Sequence, residues 1–346
     1  MLWVPCARFD VPDGAGFQAV SEAARSLDIL LGALEANDVA RMNVSLSGDA
    51  LDRLERSFPA IVAAAARLVD RESIELMTTP DHGALLPLLP VHEIERQLRL
   101  NHLALRRRFG DAFKPRTIWP TALATSPRVI RTAGRMGAEV VLVDGSALPD
   151  PLALAGLRID WAIEMPGLFL LPVGRMDSDL LASGLEIPFD ELRWRPADHD
   201  LTFRVVALDW RPAMAEPSGL ARLLRGARTA RIGDMLELFP KDHAARLPAG
   251  SAAAVAGSVQ PLAGWCANGQ AVERTERATR LAERIRELGE AGLAALPEVR
   301  SARAELDRAW RADRWIDGAT DDLARIEREL DKVRTLGPIH GAPPVL

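Results

Sequence analysis

The chain has 346 residues, 48% of them hydrophobic and 26% charged, with a formal net charge of -5; this is enough for one barrel-sized domain and a smaller companion. The mild acidic balance gives no electrostatic reason to expect nucleic acid or an anionic membrane surface, and no window approaches the roughly 18–20 apolar residues of a spanning helix. The N-terminus lacks the basic start and apolar core of a secretory signal, and two distant cysteines, Cys6 and Cys266, argue against a disulfide framework and for a reducing cytoplasm.

Leu2–Ala7 reads as a first strand, followed by a polar loop and a helix-period run from Phe17 to Leu34 with Leu27, Leu30, Leu31 and Leu34 on one face. Arg41–Ser47 alternates Met42, Val44 and Leu46 with polar residues, which predicts a half-buried strand, and Ser47 or Asp49 is placed to cap the helix that follows. An alanine-rich helix over Ala60–Val69 delivers the chain to Ile74–Met77. Then come a helix over His92–Phe109, a short strand at Thr117–Trp119, a helix over Pro127–Met136 and a strand at Val140–Val143. Strand and helix alternating in this way predicts βα units on a parallel sheet, with chemistry on the loops after the strands. Beyond Pro149, Pro151 and Gly156, strands are expected at Leu168–Val173 and Thr202–Leu208, and helices at Gly219–Arg228 and Gly233–Phe239. Gly250–Gly264, rich in Ala, Gly and Ser, reads as a domain boundary. After it, Glu273–Leu296, Ser301–Arg314 and Asp321–Arg334 carry the i,i+4 charge pairs and apolar stripes of helices.

The order of motifs resembles glycoside hydrolase family 57, the α-amylases, glucanotransferases and glucan-branching enzymes. Glu75 lies in a strand that runs into His82-Gly83-Ala84-Leu85-Leu86-Pro87-Leu88-Leu89, and Phe109-Gly110 precedes Trp119-Pro120-Thr121-Ala122. In the family the last of these positions is the nucleophilic Glu of a W-P-x-E motif. Here it is alanine. Trp3-Val4-Pro5 stands where the family has His-Gln-Pro, so the proline is kept and the histidine is not. Ser47-Gly48 with Leu51 and Leu54 matches an S-G-x-L-x-x-L step, Asp144-Gly145 keeps only the aspartate of an Asp-Glu pair, and Ser178-Asp179 matches the S-D of a later segment. Leu208-Asp209-Trp210-Arg211-Pro212 aligns with L-D-G-E-N, whose aspartate is the general acid. Trp265 stands at a G-S-W-like segment, and Trp310 with Trp315 stands at a tryptophan-rich one.

The resemblance implies an α/β fold: an incomplete (β/α)7 TIM-like barrel over residues 1–257, then a C-terminal α-helical bundle over 265–336. It implies Asp209 as a residual acid position and Ala122 as a lost nucleophile position, with Trp3, Glu75, His82, Trp119 and Trp315 as substrate contacts. A retaining glycosidase needs two carboxyl groups about 5–5.5 Å apart, and a methyl group cannot replace one of them. The function expected is therefore α-glucan binding, or service as a non-catalytic protein partner, within carbohydrate metabolism. Two alternatives stay open: an active enzyme whose nucleophile has moved to Glu75, Asp81 or Asp144, and an interaction protein with a closed cleft.

Metal chemistry is not expected. His82, His92 and His102 recur every ten residues, no close His pair converges on one ion, and His92 and His102 are expected to face solvent. Glycine-rich phosphate loops and a serine nucleophile motif are absent, so no cofactor is expected. Arg106-Arg107-Arg108 is read as a solvated helix face.

Overall fold

The computed structural model describes residues 2–11, 15–145, 159–160, 167–183, 203–210, 216–239, 245–246, 269–311 and 321–335. The first sheet is formed by β1 (Leu2–Phe9), β2 (Met42–Leu46), β3 (Ile74–Met77) and β8 (Phe203–Trp210), all parallel, in the order β3-β2-β1-β8. The second contains β4 (Thr117–Ile118), β5 (Val140–Asp144), β6 (Ile159–Asp160), β7 (Phe169–Val173) and β9 (Ala245–Arg246), in the order β4-β5-β7-β6-β9. β4, β5 and β7 are parallel, and β6 runs antiparallel to β7. Neither two-residue strand β6 nor β9 has a sequence signal, since a stretch that short shows no alternation.

Backbone hydrogen bonds also join the sheets at their edges. Thr78 N donates to Thr117 O at 2.9 Å and Trp119 N to Thr78 O at 2.8 Å, so the end of β3 runs beside β4. At β8, the other edge of the first sheet, Gly174 N, just past the middle strand β7 of the second, donates to Val205 O at 2.9 Å. Side chains alternate accordingly, because successive Cβ atoms of a strand point to opposite faces. Val4, Cys6, Met77, Val140, Leu142, Leu171, Val173, Phe203 and Val205 from both sheets meet Trp119 in one apolar cluster. It is completed by Ile232, Met235 and Phe239, on and just after α8 (Ile232–Leu238). The opposite face of the first sheet gives Ala7, Phe9, Val44, Leu46, Leu76 and Leu208 to a second cluster. That cluster holds helices α1 (Phe17–Glu35), α2 (Gly48–Ser57), α3 (Pro59–Asp70) and α7 (Ser218–Gly226).

A third cluster sits under the loop after β3. Ala84, Leu85, Leu86 and Leu89 pack with α4 (Val91–Phe109) through Ile94 and Leu98, and with α5 (Pro127–Arg135) through Val129 and Ile130. The C-terminal helices α9 (Gly269–Glu290), α10 (Pro297–Ala309) and α11 (Asp321–Thr335) join the same cluster through Leu281, Ile285, Val299, Leu306, Ile326 and Leu330. Their apolar stripes are thus buried against the α/β part, as amphipathic helices require. The remaining helix, α6 (Arg175–Ala182), follows β7 directly.

Several boundaries match the sequence reading to within a few residues, and Ser47 is the cap of α2, its Oγ accepting from Ala50 N at 3.2 Å. β8 extends two residues past Leu208, so Asp209 lies inside a strand with a fixed register rather than in the loop after it. His92 and His102 do not simply face solvent. His92 lies 3.4 Å from Glu283 on α9, and His102 is half-buried with its ring edge-on to Phe113. Arg106 and Arg107 are exposed and pair with Asp111 and Asp52. The proposed linker 250–264, Trp265 and Trp315 lie outside the described residues.

Candidate functional site

The register of β1 builds the site. Arg8 pairs across to Ser45 on β2 and to Asp209 on β8, so the three residues lie side by side near the C-terminal ends of their strands. Val4 and Cys6 place the even-numbered residues of β1 in the cluster between the sheets. Arg8 continues that face, and its guanidinium is buried, only 2% of the residue being exposed. A buried charge is retained when partners replace its water. Arg8 Nη1 donates to Asp209 Oδ1 at 2.8 Å, Nη2 to Asp10 Oδ2 and to Thr121 Oγ1, each at 3.1 Å, and Nε to Thr79 Oγ1 at 3.2 Å. Burial works against the Arg8 charge, but Asp209 and Asp10 outweigh it and hold the group more firmly protonated than a free arginine.

Asp10 is shared. Its Oδ1 accepts from Ser47 Oγ at 2.9 Å and lies 3.5 Å from Arg311, which follows α10. Burial alone would raise Asp10, yet Arg311 and Arg8 hold it below the usual carboxylate range. Arg311 also reaches Asp49 at 3.4 Å, and Asp49 lies 3.0 Å from His82 Nδ1. Ionic contacts therefore run from Asp209 through Arg8, Asp10, Arg311 and Asp49 to His82. Two glycines make the close approach feasible. A Cβ on Gly83, whose φ is +63°, would lie 2.0 Å from Asp10 Oδ2, and one on Gly48 would lie 2.0 Å from Asp81 Oδ1.

Ala122 sits on the turn that follows Trp119-Pro120, one residue from Thr121 and its hydrogen bond to Arg8. It adopts φ 55°, ψ 22°, and Leu123 also has φ 55°. Left-handed backbone at a non-glycine residue costs on the order of 1–2 kcal/mol, so the turn is kept in a strained shape by its surroundings. Leu123 N and Ala124 N donate to Pro120 O and Thr121 O at 2.8 and 3.0 Å.

The residues singled out from the sequence divide into two groups. Ala122, Trp119, His82 and Asp209 come together at the C-terminal ends of the strands. Trp119 is 1% exposed and packed in the apolar cluster between the sheets, with no hydrogen-bond partner for its Nε1. The side chains of His82 and Asp209 are 22% and 25% exposed. Trp3 and Glu75 lie elsewhere. Trp3 is near the start of β1, packed in the outer cluster and bonded through its backbone to Arg228 and Ala230. Glu75 is near the start of β3, where its Oε2 accepts from Gly233 N of α8 at 2.8 Å. Burial raises Glu75 above the ordinary carboxylate range, and Gly233, Arg231 and Arg116 only partly oppose this.

Sequence reasoning missed Arg8, Asp10 and Arg311. The available signal was Arg8 itself, an arginine inside an apolar strand with an aspartate two residues on, and hence on the same face. For Arg311 there was none. Among the described residues no group of three or more His, Cys, Asp or Glu could hold a metal ion.

Residues 21–180 match the family model described as Glycosyl hydrolase family 57. The resemblance to family 57 stands. The matched span includes Glu75, His82, Trp119 and Ala122, while Trp3, Asp209 and the C-terminal helices lie outside it. No curated protein matches the sequence. Among solved structures, the fold is similar to a 4-alpha-glucanotransferase from Thermococcus litoralis, with a TM-score of 0.66 and 14% identity over 96% of this chain and 58% of that one. It is also similar to a GH57-type branching enzyme from Pyrococcus horikoshii, with a TM-score of 0.64 and 14% identity over 98% and 92% of the two chains. An alpha-amylase from Thermotoga maritima gives a TM-score of 0.62 and 10% identity over 97% and 92%. At these identities the likeness is one of fold. The chain spans 58% of the length of the glucanotransferase.

Proposed function

We propose that this chain is a family 57 protein of α-glucan metabolism that does not cleave glycosidic bonds and acts by binding glucan or as a non-catalytic partner of a glucan enzyme. The observation that carries this reading is the buried Arg8 guanidinium bonded to both Asp209 and Thr121, next to Ala122. Asp209 is then the residual acid position and Ala122 the lost nucleophile position. The Arg8 cation joins Asp209 to Thr121, the residue before Ala122. Losing the nucleophile removes the covalent intermediate, and an acid alone supplies only about 10²–10⁴-fold, far short of the roughly 10⁶-fold minimum of enzymes.

The fold we assign is the incomplete (β/α)7 barrel over 1–257, with a helical domain over 265–336. Parallel pairing of β1–β5, β7 and β8 and the edge hydrogen bonds at Thr78 and Gly174 support it. A nucleophile relocated to Glu75 is disfavoured, since that side chain serves the N-terminus of α8. The closed-cleft reading has its own support in the burial of Trp119 and Arg8. No helix among the described residues is long and apolar enough to cross a membrane. Cys6 is a free, buried thiol, and a cytoplasmic setting belongs to this reading.

The test compares the purified chain with Asp209→Asn on maltooligosaccharides, by product analysis and by calorimetry. Binding without turnover is expected. Turnover that disappears in Asp209→Asn would sink the non-catalytic reading, and neither turnover nor binding would leave the closed-cleft reading in its place.

A further inference from the structure

Arg311 reaches the site from the helical part of the chain. α10 is docked on α4 by buried charge: Arg303 Nη1 donates to Glu93 Oε1 at 2.6 Å, and Asp307 accepts from Arg96 and, at 3.2 Å, from Gln97 Nε2. Past the end of α10 the chain meets the loop after β3. There Leu85 N donates to Trp310 O at 3.4 Å, and Ala84 pairs with Arg311 in an antiparallel bridge. These contacts fix the backbone of Arg311 beside the site. Its guanidinium donates to Val11 O and to Asp49 Oδ2, each at 3.4 Å, and lies 3.5 Å from Asp10 Oδ1.

Two carboxylates, Asp10 and Asp49, share this one buried arginine. Burial works against the charge of both, and Asp10 acts on Asp49 as a like charge. Like charges this close stay ionised only beside a counter-charge, and at Asp10 the foremost one is Arg311. Asp10 is also the link to the rest of the site. Its Oδ2 accepts from Arg8 Nη2 at 3.1 Å, and the same nitrogen donates to Thr121 Oγ1 at 3.1 Å. The position of Asp10 therefore sets where the planar fork of Arg8 points, and that fork holds Asp209 and Thr121. The side chains of Asp209 and Asp49 are 25% and 29% exposed, whereas those of Arg8 and Arg311 are 3% exposed. Acceptors reach the surface, and the cations that hold them lie beneath.

We propose that Arg311 is a positioning residue of this site: its charge keeps Asp10 beside Asp49, Asp10 holds Arg8, and Arg8 holds Asp209 and the turn at Thr121. The arrangement at the C-terminal ends of the strands is then incomplete without the segment after α10. When Arg311 is lost, Asp10 and Asp49 repel, Asp10 turns away, and its bond to Arg8 Nη2 weakens. The turn from Thr121 to Ala124 then loses the partner that keeps its strained shape. This deepens the glucan-binding reading, and only the ligand measurement below rests on that reading.

Hydrogen exchange on the full chain tests it at the amides of Leu123 and Ala124, which close the turn beside Thr121, with α1 as internal reference. In Arg311→Met these amides should exchange about 10-fold faster relative to α1, the size expected for losing one charge-assisted hydrogen bond. Arg311→Lys keeps the charge without the fork, so its rise should stay below about 3-fold. Asp49→Asn added to Arg311→Met removes the like charge beside Asp10 and should bring exchange back to within about 3-fold of the unmodified chain. Unchanged exchange in Arg311→Met, a rise shared equally by α1, or failure of either rescue overturns the proposal. If Arg311→Met does not fold, Asp10→Asn removes the carboxylate through which Arg311 acts and should give the same rise; unchanged exchange there overturns it as well. For the ligand, calorimetry with maltooligosaccharides should show about 10-fold weaker affinity in Arg311→Met, largely restored in Arg311→Lys. Equal affinities in Arg311→Met and the unmodified chain overturn the role in binding. An unmodified chain that binds no maltooligosaccharide removes the glucan reading and leaves the exchange result standing, so the two fail separately.

Discussion

Arg8 Nη1 donates to Asp209 Oδ1 at 2.8 Å, across the register that pairs the same two residues on adjacent parallel strands. The pair is thus set by backbone hydrogen bonding as much as by charge. Removing one partner of a buried ion pair leaves the other uncompensated, at about 3–5 kcal/mol. The partly exposed Asp209 lowers the expected loss for Arg8→Met to about 3 kcal/mol. Adding Asp209→Asn should restore about half of it, as a urea-unfolding double-mutant cycle would show. Additive losses would mean that Asp209 does not depend on Arg8.

The turn at Ala122 should reveal its strain in a glycine comparison. Ala122 has φ 55°, so Ala122→Gly relieves the left-handed penalty and should be neutral or stabilising by up to about 1 kcal/mol. Ala63→Gly, at an exposed site inside α3, should instead destabilise by about 1 kcal/mol. Equal losses at both sites, by thermal unfolding, would contradict the strained turn.

Gly83 combines a φ of +63° with a would-be Cβ only 2.0 Å from Asp10 Oδ2. Gly83→Ala must therefore bear the backbone penalty and also displace a carboxylate that holds two arginines. A loss above about 2 kcal/mol is expected. Gly137, with φ +88° and nothing within 4 Å of its would-be Cβ, supplies the control, since Gly137→Ala should lose only the backbone part, about 1 kcal/mol. Denaturant midpoints that fall equally would remove Asp10 from the account.

Asp81 gives the pH dependence its sign. Burial raises it from 3.8 to about 6 in the folded chain, so the folded state binds its proton more tightly than the unfolded one. The stability this contributes is fully present below about pH 3.8 and is lost as pH rises through about 6. The loss is on the order of 3 kcal/mol above both values. Asp81→Asn keeps the shape without the charge, so it should stabilise the protein at pH 7.5 and change little at pH 4. Melting curves at the two pH values check this, and equal shifts at both would exclude the buried carboxylate as the cause.

Much of the architecture could be read from the chain itself. The helical stripe through Leu27, Leu30 and Leu34 reports burial locally, because side-chain direction follows the period of the element; the alternation at Met42, Val44 and Leu46 gave a strand but not its burial, since Asn43 and Ser45 are buried as well and β2 is not half-buried. The motif resemblance that sets Ala122 against the glutamate of W-P-x-E likewise came from the chain alone, and needed no coordinates. Trp3 and Glu75 show where such reading stops, since a motif match carries no information about which end of a strand a residue occupies. Arg8, Asp10 and Arg311 show it more sharply. Arg311 lies 300 residues from Val11, whose carbonyl it reaches, and no periodicity links them. Their meeting follows from strand register and from the docking of α10, both of which depend on contacts between segments distant in sequence. The sequence by itself determined most of the longer strands and the helices. Only the tertiary structure decided that a buried arginine stands beside Asp209, because a charge can be buried there only when Asp209 of β8, Asp10, and Thr79 and Thr121 from the loops after β3 and β4 converge to replace its water.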